Sequence, residues 1–298
     1  EITIFESDAE PGKGTPYRPD LNDAAMLSNI ASIELPPICE TLTEWLRRQT
    51  DMELQHLGVE RDAISEREFY PRVVLGEFLH AQFQQLLNAA TANGHAIHLK
   101  ARHRVVDIEL RADDIRLSVK ALDDEPAEFG FDHVVMATGH DWPETTEVRP
   151  GYFISPWPAP LLKTIPPCNL GILGTSLSGI DALITVSTAH GAFMLDGQGD
   201  LQYEPLPGTE AFRATMMSRK GVLPEADFYC EIPYRPLTIC TEPAIENAIA
   251  TRKLDLLDAI FDLFKQELVA CDPDYAASIG LSLLTVETIA PAYFRARE

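Results

Sequence analysis

After Glu1 the chain runs through β-branched or apolar residues, Ile2 to Phe5, closes them with Glu6, and passes into a polar stretch carrying Gly12 and Gly14. Such a pattern predicts a buried strand and a turn. Apolar residues at helical spacing predict a short helix over Leu42–Gln49 and a longer one over Pro71–Asn93, with Leu75, Phe78, Leu79, Leu86 and Leu87 on one face and Gly94 as its stop. Two segments of alternating character, His103–Leu110 and Ile115–Leu122, flank Ala112, Asp113 and Asp114 and read as a hairpin. Phe131–Met136 reads as an apolar strand emptying into Ala137, Thr138, Gly139 and His140.

Prolines between Trp142 and Pro167 forbid long regular elements there. Beyond them the pattern restarts: a strand over Leu170–Leu173, the turn GTSLSG, and a helix to about Thr188. The segment GAFMLDGQGDLQYEP, with Asp196 and Gly197 between apolar stretches, predicts an inserted hairpin. Phe212–Met217 predicts another strand, ending SRKG. From Pro243 the text is helical, with Leu254, Leu257, Ile260, Phe261 and Phe264 spaced accordingly. The expected divisions are 1–155, 156–235 and 236–298.

Composition narrows the functional classes. At 298 residues and 45% hydrophobic, the chain has room for about two domains. Its formal net charge of -22 argues against nucleic acid or an anionic membrane as partner, because a polyanion is repelled at long range. An anionic small molecule therefore needs a local basic pocket. Cys39, Cys168, Cys230, Cys240 and Cys271 are scattered, without CxxC or metal-ligand spacing, and read as free thiols. No apolar run reaches the roughly 20 residues of a membrane helix, and the expected location is the cytoplasm.

Gly174, Thr175, Ser176, Leu177, Ser178 and Gly179 stand between a strand and a helix, as in the dinucleotide fingerprint. There the first glycine makes the turn, the second admits the pyrophosphate, and the third lets helix and strand approach. Ser176 takes the second position, where its hydroxyl could donate to a phosphate beside the helix amides. A serine-hydrolase elbow would need glycine at 178, which is Ser178. At the end of the next strand, Ser218, Arg219 and Lys220 occupy the place of the adenosine ribose, and Arg219 favours a 2′-phosphate, hence NADP over NAD. Glu6 ends its own strand where a carboxylate could accept from ribose hydroxyls. The small turn with Ala137 and Gly139 would let backbone approach a cofactor.

In order, the strand to Glu6, GKGTPY, LSNIAS (27–32), FYPRVVLGEFL (69–79), VVMATGH (134–140), ILGTSLSGID (172–181) and MMSRKGVLP (216–224) resemble the FAD- and NAD(P)-binding flavoproteins with two dinucleotide domains. These are related to flavin-dependent N-hydroxylating monooxygenases. The resemblance implies an α/β fold with two Rossmann-like, doubly wound, three-layer domains, a small β hairpin or meander insertion, and a helical C-terminal region. It implies FAD binding in 1–155, NAD(P) binding in 156–235, and a helical segment, 236–298, returning toward the FAD domain. It further implies that Glu6 holds the FAD ribose, that the segment around Asn29 approaches the flavin, that Arg72 lies near the FAD phosphates, and that Val105 or Val106 contacts adenine. Gly14, Thr138 and Gly139 would lie on the same cofactor, and Gly174, Thr175, Ser176, Gly179, Ser218 and Arg219 on NADP. Such proteins open with a strand and a GxGxxG turn upstream of the acidic strand end and close with a second ATG-like turn. Neither is found in the sequence, which is expected to be a piece of a longer chain.

The expected activity of the intact protein is hydride transfer from NADPH to flavin on behalf of a small-molecule substrate, with catalytic residues unassigned and no metal. The alternative is a non-catalytic NAD(P)- or FAD-binding module, or a piece that binds no flavin. His103 and His140 are the histidines nearest cofactor-facing turns, with a structural role preferred for His140.

Overall fold

The computed structural model describes residues 1–121, 124–139, 149–224, 234–251 and 254–297. The chain forms two compact units, residues 1–224 and 225–298. The division expected at 155 falls inside the first of these.

In the first unit, β1 (Ile2–Glu6) leads to two short helices, α1 (Leu42–Arg48) and α2 (Asp51–Leu57), and to the long α3 (Arg72–Ala92). Each short helix opens with a capping box: Thr41 with Glu44, and Thr50 with Glu53, each pair satisfying two end amides. Leu42, Trp45, Leu46 and Leu54 pack from these helices onto Val74, Leu75 and Phe78 of α3 and onto Tyr70. Trp45 and Phe78 meet edge to face, with ring centroids 5.7 Å apart. Further along α3, Leu86 is exposed, because its part of the helix lies beyond this cluster, contrary to the single apolar face expected.

After α3, β2 (Ile97–Ala101) pairs parallel with β1, Ile2 opposite Ile97 through Glu6 opposite Ala101. A three-stranded antiparallel meander follows: β3 (His103–Leu110), β4 (Ile115–Ala121) and β5 (Ala127–Phe131). Phe129 and Phe131 place their rings 5.3 and 6.0 Å from that of Phe5, which seats the meander on β1. The strand expected over Phe131–Met136 is corrected here. β5 pairs with β4 until Phe131 meets Ile115, where β4 begins, and residues 132–139 have no ladder to join. Val135 and Met136 are accordingly exposed. Leu122, His140 and Trp142 lie outside the described residues.

A short helix, α4 (Ala159–Leu162), is followed by β6 (Asn169–Leu173), α5 (Leu177–His190), a hairpin of β7 (Gly191–Leu195) and β8 (Leu201–Pro205), and β9 (Arg213–Met217). β6 and β9 pair parallel, so β6, α5 and β9 form a β-α-β unit with the hairpin inserted before its second strand. Leu162, Ile165, Val186 and Phe212 form its core, where His190 Nε2 lies 2.9 Å from the Ile165 carbonyl. Among the described residues each parallel sheet has two strands.

The second unit is helical: α6 (Glu242–Thr251), α7 (Leu256–Cys271), α8 (Pro273–Ser278) and α9 (Val286–Arg297). Leu254, expected at a helical position, precedes α7 and is fully exposed. Cys39, Cys168, Cys240 and Cys271 are free thiols, and Cys230 lies outside the described residues. Among the described residues no helix is long and apolar enough to cross a membrane.

Candidate functional site

The β-α-β unit brings the two ends expected to meet into one place. β6 and β9 run in register from Asn169 opposite Arg213 to Leu173 opposite Met217, and the Gly174 amide continues the pairing by donating to the Met217 carbonyl at 2.7 Å. Gly174 has φ +121°, a conformation that disfavours side chains. A Cβ at Gly179 would stand 2.7 Å from the Gly174 carbonyl oxygen, so only glycine lets α5 lie this close to the turn. Ser176 precedes α5 with extended backbone, and its hydroxyl makes no capping bond. The Ser176 carbonyl accepts from the Gly179 and Ile180 amides. The Leu177 and Ser178 amides make no protein hydrogen bond among the described residues and stay available at the positive end of the helix dipole.

In front of this end lies a cleft of about 530 Å³, walled by Thr175 and Ser176 on one side and by Ser218, Arg219 and Lys220 on the other. The Thr175 hydroxyl donates to the Val222 carbonyl at 2.8 Å, tying the glycine turn to the segment after β9. Ser218 has its hydroxyl engaged in its own turn, where it accepts from the Gly221 amide at 3.0 Å. It therefore shapes the bend that presents Arg219 and Lys220. Both cations are exposed, and among the described residues neither makes an ion pair or a hydrogen bond. Free amides, a helix dipole and two uncommitted cations make this a candidate anion site in a chain of strongly negative charge.

The other expected residues lie in the first half. Glu6 sits beside Ala101 at the end of β1, and its Oε1 accepts from the Asp8 amide at 2.9 Å. Asp8 in turn pairs with Arg18, and its carbonyl accepts from the Arg102 amide, so the end of β1 lies against the start of β3. On β3, Val106 falls at an irregularity in the β3–β4 register, and it and Val105 are exposed. His103 Nδ1 is held 2.8 Å from the Ala101 carbonyl. Gly14, φ +76°, opens the turn at Thr15–Tyr17, which packs onto α3 so closely that a Cβ at Gly76 would meet the Tyr17 carbonyl at 2.4 Å. Asn29 is exposed on a loop anchored by the Ser28 and Ser32 amides to the Tyr70 and Glu68 carbonyls. Thr138 and Gly139 are exposed, and a Cβ at Gly139 would meet nothing within 4 Å.

Arg72, the first residue of α3, reaches α5. Its Nη2 lies 3.0 Å from Asp181 Oδ2, and its guanidinium stands over the Trp157 ring at 5.5 Å from the centroid. Burial pushes the Asp181 carboxyl above its ordinary value, and Arg72 opposes that rise. The ion pair is not aligned as a hydrogen bond, and one turn further on the buried Thr185 hydroxyl has no partner among the described residues. Sequence reasoning missed Asp181. Its signal was a carboxylate two residues past the last fingerprint glycine, on an otherwise uncharged helix start.

Residues 1–141 match the family model described as FAD-NAD(P)-binding, and residues 241–298 match one described as YdhS-like middle domain. The chain is 40% identical over 297 residues to the uncharacterized protein YdhS of Escherichia coli (strain K12). That alignment takes in 100% of this chain and 55% of YdhS, so the chain spans about half the length of that relative. No solved structure gives a significant match. Over residues 1–141 the chain is thus similar to the FAD-NAD(P)-binding family.

Proposed function

We propose that the protein is a flavin-dependent, NADPH-using oxidoreductase of monooxygenase-like type, acting on a small molecule in the cytoplasm. The observation that carries this reading is the cleft at the start of α5, faced by Arg219 and Lys220. The residues present fit a nicotinamide dinucleotide. Gly174 and Gly179 hold the turn flat against the helix, and the Leu177 and Ser178 amides with the helix dipole would take the pyrophosphate. Arg219 would grip a 2′-phosphate with its fork, Lys220 would add a second charge, and Ser218 and Thr175 would hold the bend that carries both. In the first half, Glu6 would accept from the ribose hydroxyls of FAD. Gly14, Asn29, Val105 or Val106, Thr138 and Gly139 would line the rest of that cofactor, whereas Arg72, expected near its phosphates, is taken up by Asp181 and Trp157. This reading keeps a flavin part over 1–155, a nicotinamide part over 156–235 and a helical part over 236–298, each of the first two built on a Rossmann-like sheet. When bound, the cofactors supply the redox chemistry, hydride passing from NADPH to flavin.

Arg219→Ala tests the reading by titration with NADPH and NADH. Loss of a charge-assisted contact weakens NADPH by about 10- to 100-fold and leaves NADH within about threefold. Equal loss for both would contradict a 2′-phosphate contact. An absorbance spectrum of the longer gene product separates two outcomes: a flavin band bleached by NADPH supports the oxidoreductase, whereas a colourless protein that binds NADPH is a nucleotide-binding module.

A further inference from the structure

Arg72 and Asp181 are 109 positions apart in sequence, yet their side chains are only 14% and 11% exposed and face each other at 3.0 Å. Asp181 lies two residues beyond Gly179, in the second turn of the helix whose start lines the cleft. Between Leu177 and Thr188 it is the only charged residue. Side chains on a helix lean toward its N-terminus, so this carboxylate bears on the end where an anion would sit. Alone it would repel that anion through a poorly solvated interior, where charges act at longer range than in water.

We propose that Arg72 is a positioning residue for the cleft: by cancelling the Asp181 carboxylate from α3, it keeps the start of α5 receptive to the pyrophosphate of a nicotinamide dinucleotide. The inference rests on the reading of the cleft given above and adds to it a residue outside the fingerprint. The guanidinium also stands over the Trp157 ring, which helps to hold the cation in place beside Asp181. β6, α4 and β7 pack on α5, and none of them brings a charge that acts on Asp181. Among the described residues the one charge acting on the carboxylate is that of Arg72, and one turn on the buried Thr185 hydroxyl has no partner.

The test is titration of the chain with NADPH and NADH in four forms: wild type, Asp181→Asn, Arg72→Met and the double variant. Asp181→Asn removes the repelling group and leaves the cation, so both dinucleotides bind about three- to tenfold tighter although the fold is less stable. A residue that served the fold alone would weaken binding. Arg72→Met leaves the carboxylate bare and weakens both ligands about tenfold at pH 8. Without its partner, the buried Asp181 takes up a proton more readily on acidification, so this variant regains affinity relative to wild type as the pH is lowered. The double variant shows neither the loss nor the added pH dependence. Should Arg72→Met not fold, the tightening in Asp181→Asn decides alone. If wild type binds both dinucleotides while Asp181→Asn binds no tighter, or the double variant is as weak as Arg72→Met, the pairing role is overturned and the cleft stands. If wild type binds neither dinucleotide, the reading of the cleft falls and takes this role with it.

Discussion

Glu267, one turn before the end of α7, is 6% exposed and accepts from three successive amides: Thr238 at 3.0 Å, Ile239 at 2.5 Å and Cys240 at 2.8 Å. The Thr238 amide first, then those of Cys240 and Ile239, bring its carboxyl from 4.5 down to about 2, against a smaller opposing effect of burial. A carboxylate lowered on folding stabilises the native state above its unfolded value and loses that contribution as pH falls through the folded value. The stabilisation from Glu267 is therefore complete above about pH 4.5 and disappears between 4.5 and about 2. Glu267→Gln puts an amide that carries donors before three N–H groups, so its melting midpoint at pH 7 lies below that of wild type. Circular-dichroism melts should show the two proteins converging as pH falls from 4.5 toward 2, and a gap that stays constant would contradict the assignment. Such residues mark the limit of reading at this scale. Gly174 and Gly179 were legible because a close backbone approach leaves one residue type. Glu267 and Asp181 were not, since their roles come from partners 27 to 29 and 109 positions away in sequence.

Among the elements, α3 carries the first half. It receives α1 and α2 on one side of its opening turns, takes the Thr15–Tyr17 turn against Gly76, and presents Arg72 at its start. Phe78 stands where these contacts meet and is 2% exposed. Phe78→Ala removes a ring that Trp45 and Leu46 cannot both move to replace, and should cost about 3–5 kcal/mol of stability. Urea unfolding would measure it, and a loss below about 1 kcal/mol would mean that the cluster closes over the gap. Most elements were legible from local pattern, including the inserted hairpin, whose Asp196-Gly197 signal falls in the connection between β7 and β8. The failure at Phe131–Met136 is instructive. FDHVVM is more apolar than AEFGF, yet a strand needs a neighbour, and β4 offers one to Ala127–Phe131 and then ends. Pairing, which no local pattern contains, decided between them.

At the scale of the molecule, the net charge of -22 and the cationic cleft act on a dinucleotide at different distances. During approach the ligand meets the field of the whole surface, which repels it. Seated as proposed, it would meet Arg219, Lys220 and the start of α5. Raising ionic strength from about 0.01 M to about 0.15 M shortens the Debye length from about 30 Å to about 8 Å. That range erases the distant repulsion but leaves much of the contact attraction. The association rate of NADPH should therefore rise with salt over this interval, while dissociation also quickens as the exposed cations are screened. Stopped-flow fluorescence separates the two rates. An association rate that falls with salt would mean that the field of Arg219 and Lys220 reaches beyond the cleft and outweighs the acidic surface. In that case Arg219→Ala should reverse the slope. Because the two rates respond to charges at different distances, their salt dependence tells a ligand drawn in by its pocket from one held there against the charge of the chain.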